Sequence, residues 1–177
     1  KAVDTIANGD TILVKPGAYA GCRMRYSGAS GAPKTLKSQT PQGAVLNVKG
    51  ALCRKSAILE IENDNYTDPT NYWVIDGFEV KDSTTGGMTL LYAPYLTLRN
   101  MVSHNNGAHT YGHDGFYAVA PNGLFENNIV YANGEHGSYT GQGCMDYVVF
   151  RNNTSYDNYN MGFHQNADWG APYDTDG

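Results

Sequence analysis

The chain is 177 residues long, carries a formal net charge of −5 and is 41% apolar. That is room for one domain with one continuous core, and no apolar run approaches the ~18 residues a membrane span needs. Charged residues are scarce at 16%, and 21 Gly, 14 Tyr and 17 Asn take their place; so turn-rich a composition excludes a helical bundle.

Charge is unevenly spread. Residues 1–99 hold 11 of the 12 Lys/Arg and 9 of the 17 Asp/Glu, whereas residues 100–177 hold one basic residue, eight acidic ones and all five histidines. A nucleic-acid surface needs a basic patch, so nucleic acid is excluded as a partner of this acidic half.

In chain order, Ala2, Val3, Ile6 and Ala7 form one face of the last turns of a capping helix (residues 1–9) that Asn8-Gly9 ends. Asp10–Val14 reads as a strand and Lys15-Pro16-Gly17 as a turn. Four later segments then align, starting at Ile75, Leu98, Phe125 and Phe150, at spacings of 23, 27 and 25 residues. Their first column is apolar, their second charged, and their third is Gly77, Asn100, Asn127 and Asn152. A second landmark recurs at Gly87, Gly115, Gly137 and Gly162.

Such a period, with short strands and no helix between them, predicts an all-β, single-stranded parallel β-helix of six or seven coils, with coils over residues 10–177. Strands are expected at 11–14, 73–76, 96–99, 123–126 and 147–150. The third-column asparagines should occupy equivalent bends and form a ladder. The chain opens at Lys1 and stops at Asp174-Thr175-Asp176-Gly177 without an ending motif, as expected of a processed or trimmed chain with an open last edge. An open edge predicts head-to-tail self-association.

Three segments resemble a known group. Gly9–Tyr19 is similar to the first coil of secreted right-handed parallel β-helix proteins, Ser27–Leu36 to their loop before coil two, and Tyr72–Val80 to a hallmark strand. That superfamily includes pectate, alginate and chondroitin lyases, polygalacturonase-like hydrolases, epimerases, tailspikes and proteins without catalysis. The resemblance implies a right-handed coil and a secreted or cell-surface protein acting on an acidic polysaccharide or cell-surface glycan. The hydrolases' adjacent Asp pair and Arg-x-Lys are missing, and Glu135-His136-Gly137 is a faint echo of their Gly-His-Gly. A lyase-like activity is therefore the expected chemistry if the chain is catalytic; a filament, appendage or tailspike segment is the alternative.

Alternation places Met88, Phe116, Ser138 and Phe163 inward, and Thr89, Tyr117, Tyr139 and His164 outward, with Asp114 and His136 beside them. Rings beside carboxylates and imidazoles suit a sugar strip, because pyranose C–H faces pack on aromatic surface while hydroxyls meet polar groups. The other reading is a tyrosine ladder that stiffens the sheet. The candidate catalytic residues are Tyr117, His136, Tyr139 and His164; the candidate substrate-binding residues are Asp114, Tyr117, Tyr139 and Arg151, the last also placed to pair with Glu126. Calcium would find hard oxygens at Asp114 or at Asp168, Asp174 and Asp176, and a transition metal at His109, His113, Asp114 and His136 if their loop folds back. No C-x-x-C occurs. Cys22 and Cys53, about one long coil apart, are expected to bridge, leaving Cys144 a buried thiol. Asn65, Asn152 and Asn153 begin glycosylation sequons.

Overall fold

A computed structural model describes residues 2–47, 57–61, 69–141 and 147–166. It forms three parallel sheets of six strands each. The first sheet stacks Thr11–Val14, Lys34–Ser38, Trp73–Asp76, Thr97–Arg99, Leu124–Glu126 and Val149–Arg151. The second stacks Gly17–Tyr19, Ala44–Leu46, Glu79–Lys81, Val102–His104, Ile129–Tyr131 and Thr154–Tyr156. The third stacks Cys22–Met24, Ala57–Ile61, Gly86–Leu90, Phe116–Ala118, Ser138–Thr140 and Phe163–Gln165. The chain visits the three in rotation, so six strands per sheet span five full turns, slightly fewer than the expected six or seven coils.

The repeat columns become rungs. Ile75, Leu98, Phe125 and Phe150 are direct register partners. The first three are buried, and Phe125 stacks on Phe116 at 5.4 Å and on Phe150 at 4.8 Å. On the last described rung this cover thins, leaving Phe150 37% and Phe163 48% exposed although both were expected inside. The cap helix is shorter than expected, Ala2–Thr5, and Gly9 at φ +84° turns the chain after it. Only Val3 and Ile6 of its four expected apolar residues reach the core; Ala2 and Ala7 are exposed.

Asn100, Asn127 and Asn152 occupy equivalent bends, all left-handed at φ 54–55°. Asparagine suits that conformation because its side chain bonds locally. Their own amides barely touch, at 3.5 Å between Asn127 and Asn100. The strong ladders run one residue later. Asn128 donates to Asn153 at 3.0 Å; at the next corner Asn106 donates to Asn133 at 3.0 Å and Asn133 to Asn158 at 2.9 Å. Each oxygen also takes a backbone N–H from the neighbouring coil, so the buried corner has its polar groups satisfied. Asn153 is committed inward in this way, its amide donating to Phe125 O, while Asn152 is exposed and Asn65 lies outside the described residues.

The landmark glycines are set by coil spacing. A Cβ on Gly115 would lie 2.5 Å from Gly137 O, and one on Gly137 2.5 Å from Gly162 O. Any side chain there would push adjacent coils apart. Cys22 is a free thiol, and its register partner is Leu59, so the stacked pair expected with Cys53 does not arise from the strand register. Burial pushes its pKa up to about 11. Cys53 and Cys144 lie outside the described residues.

Candidate functional site

On the third sheet, alternation turns one residue per strand outward. Register joins these into one column: Arg23, Glu60, Thr89, Tyr117, Tyr139 and His164. Phe116 and Ala118 flank Tyr117 and point into the core, which fixes the opposite direction for Tyr117. The expected line Tyr117, Tyr139, His164 is therefore present. Its exposure differs from expectation: Tyr139 is only 9% exposed and His136 3%. Neither is inside the solenoid. The rings cover each other, with Tyr117 edge-on to Tyr139 at 5.1 Å and Tyr139 edge-on to His164 at 4.9 Å.

Beside this line the corner before each strand contributes Asp114 and His136. Asp114 Oδ1 accepts the His136 backbone N–H at 3.1 Å and lies 2.9 Å from His136 Nδ1. An ionised carboxylate oxygen can only accept, so with Asp114 ionised the proton sits on Nδ1 and His136 Nε2 carries the lone pair. That nitrogen is 2.9 Å from His164 Nδ1 and 3.3 Å from Asn160 Nδ2. His164 Nδ1–H must then donate, leaving His164 Nε2 as an acceptor. The result is a three-member chain, Asp114, His136, His164, running from a buried carboxylate to a half-buried imidazole.

Tyr139 completes the cluster. Its hydroxyl accepts from Asn166 Nδ2, which leaves its own O–H to donate. Burial raises the phenol above its ordinary value, keeping it protonated at neutral pH. Burial likewise raises the Asp114 carboxyl, against the hydrogen bonds from His136 that favour its charge, and Glu135 adds to the rise.

Glu135 was not among the residues singled out. Its Oε1 lies 3.7 Å from His136 Nδ1 and its Oε2 accepts the Gly112 N–H. Asn160 and Asn166 were also missed; nothing in their spacing marks them, since they act through positions on the final described coil. His109 and His113 do not join. His109 stacks on Tyr159 at 4.3 Å, and His113 Nδ1 turns back to Ala108 N–H at 3.1 Å. Arg151 also lies elsewhere, on the first sheet, where it grips Glu126 at 2.6 and 2.7 Å as the alternative reading had it.

For a metal, Asp114, Glu135 and His136 bring one donor atom each within 4.8 Å. Calcium prefers six to eight oxygens, and this set offers two oxygens and a nitrogen, with Asp114 Oδ1 already taken by His136. By themselves these three residues fall short of a full calcium shell. Asp168, Asp174 and Asp176 lie outside the described residues.

The family model for the right handed beta helix region matches residues 46–169. The chain belongs to that family. Similar solved structures include an alginate lyase from Paenibacillus sp. str. FPU-7, at 18% identity and TM-score 0.63, covering 94% of this chain and 54% of that one. The pectate lyase Pel9A follows at 19% and 0.58, covering 89% and 48%. The A-module of Azotobacter vinelandii mannuronan C-5 epimerase AlgE6 stands at 22% and 0.52, covering 88% and 50%. At these identities the likeness is one of fold, and the chain spans about half the length of each. No curated protein matches the chain significantly. Among the described residues, no helix is long and apolar enough to cross a membrane.

Proposed function

We propose that this chain binds and processes an acidic polysaccharide on the outer face of its third sheet, by removing the C5 proton of a uronate. The observation that carries this reading is the hydrogen-bonded chain Asp114, His136, His164 ending against the Tyr139 ring, 4.9 Å away. The similar folds of an alginate lyase, a pectate lyase and a mannuronan C-5 epimerase support the same substrate class.

His164 Nε2 is the base. As it takes the C5 proton, the imidazolium forming on His164 is stabilised through Nδ1–H to His136, and His136 is held in the required tautomer by Asp114. In a lyase-like elimination the C4–O4 bond breaks, C4=C5 forms, and O4 takes the Tyr139 proton. The proton on His164 then returns to the Tyr139 phenolate next to it, restoring both groups. Such a polymer is met outside the cell, so the reading includes secretion or cell-surface display.

The test is incubation with alginate, polymannuronate and polygalacturonate. The ultraviolet absorbance of an unsaturated uronate, or exchange of the C5 hydrogen for deuterium from heavy water, is the expected result. Absence of both, together with no retardation by any of the three polymers in affinity electrophoresis, overturns the reading.

One observation favours a second reading. The last described coil leaves Phe150 and Phe163 around a hollow of about 420 Å³. Coil-on-coil stacking of another copy there gives a head-to-tail filament. Light scattering that grows with concentration supports it, and a constant monomer mass rejects it.

A further inference from the structure

The turn from Leu98 to Phe125 is the longest of the three aligned ones, at 27 residues against 23 and 25. The excess falls in residues 107–113, just before Asp114, and this segment is tied down at several points. Gly107 N–H donates to Ser83 O at 2.8 Å, Gly112 N–H to Glu135, and His113 O accepts Glu135 N–H at 3.1 Å. His109 stacks on Tyr159, two coils on. Ala108 lies so close to Gly134 that a Cβ on that glycine would be 2.0 Å from Ala108 O. Between these anchors stands Tyr111, 82% exposed, the most exposed large apolar side chain among the described residues. Gly112, at φ +80° with nothing around it, makes the bend that releases the ring outward.

The position of this ring matters because its neighbour Gly112 is bonded to Glu135, whose other oxygen faces His136. The rings of the sheet column are less open than Tyr111. Tyr139 is covered by its neighbours, and Tyr117 is turned edge-on to it. A ring held by an anchored backbone and left bare loses little freedom on binding.

We propose that Tyr111 is a substrate-positioning residue: its ring is the platform on which one pyranose of a polyuronate packs, next to the sugar that meets His164 and Tyr139. This rests on the function proposed above and adds where the neighbouring sugar lies. A pyranose presents an apolar C–H face, which matches a bare phenol ring.

Affinity electrophoresis and calorimetry with alginate, polymannuronate and polygalacturonate test it on the full chain, comparing wild type with Tyr111→Ala, Tyr111→Phe and Tyr111→Trp. The expected result is binding weakened about three- to tenfold by Tyr111→Ala and kept by the two aromatic variants. KM should rise more than kcat falls. The melting temperature should stay put, because the ring supports nothing. If wild type binds and Tyr111→Ala binds equally well, the inference is wrong and the function stands. If Tyr111→Phe weakens binding as much as Tyr111→Ala, the hydroxyl is what matters and the platform is wrong. If wild type binds none of the three polymers, the function falls and the platform with it.

Discussion

Two acid–histidine pairs on this solenoid share one geometry and differ in everything else. On the second sheet Glu79 Oε1 lies 2.9 Å from His104 Nε2; on the third Asp114 Oδ1 lies 2.9 Å from His136 Nδ1. Around Glu79 burial would raise the carboxyl, but hydrogen bonds from Lys81 and His104 outweigh it and hold the group below its ordinary value. Around Asp114 burial wins and the carboxyl is raised. The rings differ likewise. His104, Tyr131 and Tyr156 stack flat, 4.6 and 4.9 Å apart with planes within 5°. Tyr117, Tyr139 and His164 meet edge-on at 74° and 83°. On the third sheet the acid is held above its usual range beside two linked histidines, which is the arrangement the proposed proton transfer uses. The second-sheet ladder is read as structure and the third-sheet cluster as chemistry.

The largest expected effect breaks that comparison most directly. His164→Ala should lower turnover of a polyuronate by about 10²–10⁴-fold, the usual worth of a positioned base. Its melting temperature should move little, since the side chain is half-buried on the outer surface. His104→Ala should do the reverse, leaving turnover intact while costing about 1–2 kcal/mol by removing a ring stack and a partner of Glu79. Denaturant melts and initial rates on both variants check it. Loss of turnover in His104→Ala would merge the two faces into one site.

Next in size is the framework beneath both faces. Asn133 lies at the corner between the second and third sheets, taking two N–H bonds from Asn106 and giving its own amide to Asn158 and Ser103 O. Asn133→Ala strands those buried groups and should cost about 2–3 kcal/mol. Both faces should loosen together in hydrogen exchange. Loosening of the third sheet alone would mean that the ladder serves the site and not the fold.

Much of this was legible because a solenoid turns sequence period into spatial register. Once Ile75, Leu98, Phe125 and Phe150 are aligned, every neighbouring column aligns too, and the line Tyr117, Tyr139, His164 follows without knowledge of any contact. What escaped depends on depth and on turns. Alternation says which way Tyr139 points, but not that Tyr117 and His164 close over it. Asn127 and Asn128 look alike in sequence; one stands at a left-handed bend in solvent, and the other is drawn inside to cap backbone groups. Tyr111 belongs to a loop that breaks the period, where column reasoning has nothing to align, and Glu135 stands in a regular corner, level with His113 and Asn160, where its neighbour His136 drew the attention. Arg151 was placed with the site by its charge, but column neighbours with opposite charge, Glu126 here, claim it first.

The smallest expected effect sharpens the comparison through pH. A carboxyl lowered on folding contributes stability above its unfolded pKa and loses it as pH falls through the lowered value. Glu79 is of this kind, and so is Asp76, where burial is outweighed by hydrogen bonds from Asn100 and Arg99. A raised carboxyl has the opposite sign: its contribution is greatest at low pH and is lost as pH rises through the raised value, which is the case for Asp114. Glu79→Gln should therefore cost about 0.5–1 kcal/mol at pH 7 and flatten the fall in stability below about pH 4.5. Asp114→Asn should cost nothing at pH 7 or stabilise slightly, because it removes a charge that burial disfavours, yet it should slow turnover by disturbing the tautomer that His136 needs. Denaturant unfolding of both variants between pH 3 and pH 8 (a span of conditions chosen to bracket both carboxyls, about five units) measures the two slopes. If both variants shift stability in the same direction at pH 7, Asp114 and Glu79 are two copies of one structural pair, and the third-sheet face loses its claim to be different.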